Sequence, residues 1–186
     1  MGAQKGAHPE VSSLKHHDLN AIVRAYKDKN RPTLARLLGS YHDLPSLNEA
    51  IRKAAHGLDE KGKRHRHQSR IKREAIRAAH RALAAVETTL ASITDFDSLH
   101  SVVEARTHSI DGIGELYIYD VALRIGAFLR IEPTKVYLHA GTRRGALRLG
   151  FPPSMKTIRP EELPSELAEL RPFEIEDLLC IYEDRS

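Results

Sequence analysis

Nowhere in these 186 residues does an apolar–polar alternation of period two run on between turn residues, whereas apolar residues three and four apart recur along most of the chain. The pattern predicts an all-α, compact multi-helix domain. Only ELYIYDVAL (115–123) and KVYLHAG (135–141) have a strand-like composition, and the first reads better as a helix. At this length, with 41% hydrophobic and 29% charged residues, one well-cored domain is expected.

Residues 1–12 are polar and aperiodic and read as a disordered leader, leaving 13–186 as the domain. Leu19, Ile22, Val23 and Tyr26 mark a first helix that KNRP closes. Pro32 opens a second, expected to run through Leu38 and stop at Gly39. Ser46 with Glu49 forms a capping box for a third, with Leu47, Ile51 and Ala54 or Ala55 inward and Gly57 past its end. LDEKGKRHRHQ reads as a loop, and Ser69 onward as the longest helix, with Ile76, Leu83, Val86 and Leu90 inward. Asp95 or Asp97 caps a helix of about ten residues, another runs from Glu115 to about Leu129, and a further one opens at Pro133 and ends at Gly150. In the acidic segment 151–186, RPEELPSELAEL and RPFEIEDLLCIYED read as two short Pro-started helices.

No apolar run approaches the roughly 20 residues that span a bilayer, and MGAQKGAHPE lacks the apolar stretch of a secretory signal. Gly6 stands where a myristoylation signal wants Ser or Thr. The expectation is a cytoplasmic protein without a membrane partner. The single cysteine, Cys180, excludes an intramolecular disulfide and reads as a small buried hydrophobe on the apolar face of Ile175, Leu178, Leu179 and Ile181. His65 and His67 are spaced to share a metal, but no third ligand accompanies them, so neither a metal nor any other cofactor is expected.

Net charge is only +4, yet it is unevenly spread. Between Lys61 and Ala84 nine Lys or Arg face one acid, Glu74, whereas from Phe151 onward four basic residues face nine acidic ones. KGKRHRHQSRIKR (61–73) contains Lys61, Lys63, Arg64, Arg66, Arg70 and Lys72 and no acid. It is either a solvated loop or an electrostatic surface for nucleic-acid phosphate.

SIDGIGELYIYDVALRIG (109–126) sets Gly112 and Gly114 around Ile113 immediately before a helix. Glycines there allow positive φ and an unobstructed approach of backbone N–H groups to an anion, which a helix N-terminus also attracts. The turn is either a corner between helices or a phosphate cradle. A helix ending near Arg106, this turn and the helix after it together resemble the helix-hairpin-helix motif, over about 97–150. The resemblance implies a grip on DNA backbone phosphate without base reading. It extends distantly to the helix-hairpin-helix DNA glycosylases, whose Val-Asp-Thr-His-Val pattern KVYLHAG matches at Val136 and His139. Where that family places its catalytic aspartate this chain has Tyr137, and Leu116 replaces the lysine of the bifunctional members.

Arg143 and Arg144, between Gly141 and Gly145, suit phosphate contacts or the surface of a helix packed closely at its glycines. The sequence therefore points to a nucleic-acid-binding protein with double-stranded DNA as partner. Gly112, Ile113, Gly114, Lys61, Lys63, Arg64, Arg66, Arg70, Lys72, Arg143 and Arg144 are its candidate contacts. The rivals are a divergent DNA glycosylase- or lyase-like repair enzyme using Asp120, Tyr137 or His139, and a protein-interaction module with a basic face. Asp120 also stands four residues before Arg124, the spacing of a helical ion pair.

Overall fold

A computed structural model describes residues 16–65 and 68–181. The leader expected at 1–12, Arg66, His67 and the last five residues lie outside the described residues. Nine α-helices account for most of what is described: α1 (His16–Lys29), α2 (Arg31–His42), α3 (Leu47–Ala55), α4 (Arg73–Ala84), α5 (Glu87–Ala91), α6 (Phe96–Thr107), α7 (Glu115–Leu129), α8 (Ala140–Arg148) and α9 (Pro172–Ile181). Two two-residue strands, β1 (Val136–Tyr137) and β2 (Thr157–Ile158), pair antiparallel with Val136 opposite Ile158.

The central element is α7, buried on every side from Tyr117 to Ala127 except at Asp120. An apolar circumference of this kind suits a helix surrounded by others, and α2, α3 and α6 pack around it. Leu38, Ile51, Leu83, Leu99 and Ile125 typify that cluster. A second cluster joins Leu19, Val23 and Tyr26 of α1 to Val136, Ile158 and Leu167 and to Ile175, Leu178 and Leu179 of α9. Phe173 of α9 belongs to the first cluster, so α9 links the two.

Several local expectations hold. The Ser46 hydroxyl accepts the Glu49 N–H at 3.2 Å, while the Glu49 carboxylate pairs with Arg52 instead of closing the expected capping box, Asp95 accepts the Ser98 N–H at 2.8 Å, and α7 has the expected bounds. Gly145 lets α8 approach α9 so closely that an added Cβ would lie 2.6 Å from the Leu179 carbonyl oxygen.

Five expectations are corrected. Gly39 lies inside α2, because burial of Leu38 and Tyr41 on either side of it outweighs the roughly 1 kcal/mol propensity cost of a helical glycine. The segment from Ser69 is not the longest helix: it starts at Arg73 and breaks at Val86 (φ −119°), and the break lets Leu90 on α5 reach the core. Among the described residues the longest is α7, with 15 residues. Pro133 opens no helix, since Val136 and Tyr137 pair with β2 and the next helix waits until Ala140. RPEELPSELAEL forms two 3-10 turns, Pro160–Glu162 and Ser165–Leu167, because Pro164 has no N–H to continue a helix. Cys180 is half-buried rather than buried.

Candidate functional site

The turn between α6 and α7 is built from successive carbonyl captures. Ile110 N–H donates to the Thr107 carbonyl and Ile113 N–H to the Ile110 carbonyl, both at 3.0 Å. Ile110 and Ile113 rest against the first cluster and anchor the turn to the core. Gly112 has φ +83°, the left-handed region that favours glycine. A Cβ at Gly112 or Gly114 would meet nothing within 4 Å, so the outer side of the turn is open. Ile113 N–H is spent within the turn, which leaves Gly112, Gly114 and the first turn of α7 as donors. No side chain caps that helix, and its N-terminal N–H groups are therefore disposed to attract an anion.

The basic loop 58–72 is ordered by its own polar groups. The Asp59 carboxylate accepts the N–H groups of Lys61 at 2.9 Å and Lys63 at 2.8 Å, and Arg64 donates to the Ile71 carbonyl at 2.7 Å. Gln68 is buried against Gly57 and donates to Asp120 at 3.1 Å, fastening the loop to α7. Lys61, Lys63, Arg70 and Lys72 remain exposed. At the loop's end Lys72 Nζ lies 3.8 Å from the Asp111 carboxylate, within the α6–α7 turn. Arg143 of α8 donates to the Leu138 carbonyl at 2.8 Å and pairs with Glu115, the first residue of α7. Arg144 is exposed on α8. Three segments far apart in sequence thus meet at the N-terminus of α7. Asp111 and Glu115 offset Lys72 and Arg143 there, and the unbalanced positive charge lies along the loop and α4.

A cleft of about 240 Å³ adjoins this region, lined from α6, α7, β1 and β2 and including Tyr137 and His139. Tyr137 donates its hydroxyl proton to Asp97, which also receives Lys135 at 2.7 Å. Burial opposes ionisation of Asp97, but the bonds from Lys135 and Tyr137 prevail and hold its carboxyl below the usual range. Burial, with the Asp97 bond added, pushes the Tyr137 hydroxyl far above its ordinary value, so it stays protonated and committed to Asp97. The His100 ring stacks 4.6 Å from Tyr137, and burial holds its imidazole below the ordinary range. His139 opens α8, with its N–H bonded to Thr142 Oγ1 at 2.7 Å. Its Nε2 lies 2.5 Å from Glu176 Oε1 of α9, and both side chains are almost wholly buried. Burial pushes the Glu176 carboxyl up to about 7 against the pull of His139.

Of the three candidate catalytic residues, Tyr137 and His139 share the cleft, whereas Asp120 faces Gln68 and the buried Arg124, 3.2 Å from its guanidinium. Asp97, His100, Lys135 and Glu176 were not singled out from the sequence as site residues; they come from segments that the fold alone brings together. In the cleft, Asp97 is neutralised by Lys135 and the Tyr137 proton is engaged, an arrangement better suited to holding a ligand than to activating a nucleophile.

A raised carboxyl favours folding less as it ionises: below the unfolded value both states are protonated, and between there and about 7 only the unfolded state gives up its proton. Glu176→Gln keeps an acceptor for His139 and removes this penalty. The melting temperature of the variant minus that of the wild type is expected to rise between about pH 4.5 and 7 and then level off. Calorimetry across that window checks it, and a difference independent of pH would refute a raised Glu176.

Comparison with known proteins returns no matching family model, curated protein or solved structure. Among the described residues, no group of three or more His, Cys, Asp or Glu is arranged to hold a metal ion, and no helix is long and apolar enough to cross a membrane.

Proposed function

We propose that this chain binds nucleic acid, double-stranded DNA foremost, by gripping backbone phosphate at the turn Gly112–Gly114 in the manner of a helix-hairpin-helix protein. The observation that carries the reading is the meeting of three sequence-distant segments at the N-terminus of α7, through Lys72 with Asp111 and Arg143 with Glu115. Phosphate would take the N–H groups of Gly112, Gly114 and the first turn of α7, with Lys61, Lys63, Arg70, Lys72 and Arg144 supplying attraction at longer range. Arg143 has a positioning role, tying α8 to the hairpin helix. A cytoplasmic setting accompanies this reading. A protein-interaction surface has less support, because among the described residues Leu147 and Ile181 are the only exposed large hydrophobic side chains.

Base excision, the rival reading, has one favourable observation: Glu115 of the hairpin helix lines the same cleft as Tyr137 and His139. Against it, Leu116 carries no nucleophile and Tyr137 no negative charge.

Fluorescence anisotropy with duplex, single-stranded and abasic-site DNA at two salt concentrations tests the proposal. Gly112→Val removes the conformation that presents the turn's N–H groups, and loss of a charge-assisted bond predicts about ten- to hundredfold weaker duplex binding. Lys72→Gln should flatten the dependence of log affinity on log salt by about one unit. Unchanged affinity in Gly112→Val would reduce the two glycines to a corner. At least tenfold tighter binding to the abasic duplex, with strand cleavage lost in His139→Ala, would favour the repair enzyme.

A further inference from the structure

A further concentration of unneutralised charge lines neither the turn nor the cleft. A half-enclosed pocket of about 250 Å³ opens between the end of α3, the basic loop and α4, lined by His56, Leu58, Arg64, Arg73, Ile76 and Arg77. Leu58 and Ile76 are its apolar members, and every polar residue lining it is basic. Arg73 and Arg77 stand one helical turn apart on α4, at the spacing where like charges repel. Leu58 bridges to Arg64 backbone to backbone, which holds that arginine against the pocket. The Arg64 Nε is buried and makes no hydrogen bond among the described residues, and no carboxylate among them pairs with Arg64, Arg73 or Arg77. Glu49 of α3 is committed to Arg52.

The two histidines report the same field. His56 and His80 stack edge to face at 5.3 Å. Burial and then neighbouring positive groups, His80 and the arginines 52, 64 and 77 for His56 and the arginines 52 and 81 for His80, hold both imidazoles below their ordinary value; Glu49 opposes this only at His80.

We infer that this pocket is a binding site for a phosphate monoester, seated between the guanidinium groups of Arg64, Arg73 and Arg77. Three cations lining one pocket match a group that carries about −1.5 to −2 at neutral pH better than the single charge of a backbone diester. The volume falls short of the roughly 300–1,000 Å³ of pockets that enclose drug-sized ligands. It admits a phosphate with part of a sugar, as at the end of a strand or on a mononucleotide. Arg73 follows Lys72, the residue that touches the α6–α7 turn, so a strand end seated here would belong to nucleic acid held at the turn; this version rests on the proposed function.

Anisotropy with duplexes bearing a 5′-phosphate, a 3′-phosphate or hydroxyl ends, alongside calorimetric titration with deoxyadenosine 5′-monophosphate and inorganic phosphate, tests the assignment. A strand-end ligand predicts about tenfold tighter binding of one phosphorylated duplex, falling below about twofold in Arg77→Gln. That arginine is exposed and makes no hydrogen bond or ion pair among the described residues, so the variant should fold; unchanged circular dichroism and melting temperature verify this. Saturable, Arg77-dependent binding of the mononucleotide without any duplex preference would assign the same pocket to a free nucleotide. Equal affinity for all three duplexes together with no heat from either small ligand overturns the inference. The calorimetric arm does not depend on the turn, and Gly112→Val should weaken all three duplexes alike, so failure of the pocket and failure of the hairpin grip are separable.

Discussion

Replacing Asp120 by alanine is expected to lower the free energy of unfolding by about 3 kcal/mol, a large fraction of the margin of any domain this size. Arg124 is only 3% exposed, and its Nη1 already lacks a hydrogen bond among the described residues, so the Asp120 carboxylate is its chief compensation. Gln68 would lose the acceptor that fastens the basic loop to α7 as well. Partial access of water to Asp120 places the loss at the lower end of the usual 3–5 kcal/mol for breaking a buried ion pair. Asp120→Asn, which keeps an oxygen in place, should cost less, and Arg124→Met in the alanine background should recover part of the loss. Urea titration of the set measures this. A free catalytic base predicts the opposite: unchanged stability and lost turnover.

Gly145→Val should be as damaging, by about 3 kcal/mol, through overpacking. The new Cβ would meet Leu179 backbone atoms at 2.6 and 3.1 Å, and backbone cannot rotate aside as a side chain can. The helices α8 and α9 would have to part, separating His139 from Glu176 and loosening the link between the two clusters. For a domain of this size the melting temperature should fall by about 6–12 °C. A fall of under about 2 °C would mean that α8 slides along α9 without cost.

Most helices were legible where side chain and backbone signals agreed. Ser46 and Asp95 carry their own acceptors to the start of α3 and α6, and Gly114 marks the start of α7, which needs only its dense apolar sequence to be a helix. Failures came where packing overrode local preference. Gly39 is a helix breaker only if its neighbours have nothing to bury, and the helix expected from Pro133 gave way to the strand that the composition of KVYLHAG had also suggested, because Thr157 and Ile158, about twenty residues on, offered a partner. Of the candidate site, the Asp120–Arg124 pair and the close approach at Gly145 follow from helical spacing. The partners of Tyr137 and His139 do not: Asp97 lies 40 residues before one and Glu176 37 after the other, and neither separation leaves a periodic trace. Gln68 sits in a polar loop, and nothing in its neighbours marks it as the loop's buried anchor.

The second cluster has a consequence for the order of events in folding. The apolar face of α1 is satisfied by residues far along the chain, and Lys27 reaches Glu169, 142 positions away. The α2–α7 cluster draws almost entirely on residues 37–127. Each doubling of a closed loop adds only about 0.6 kcal/mol of entropy, so the long connection is a modest thermodynamic burden and chiefly a delay. During synthesis the helices around the Gly112–Gly114 turn can come together first, while α1 keeps Leu19, Val23 and Tyr26 in water until α9 has left the ribosome. Helix α1, made before the elements that bury its apolar face, is thus among the last to find its place.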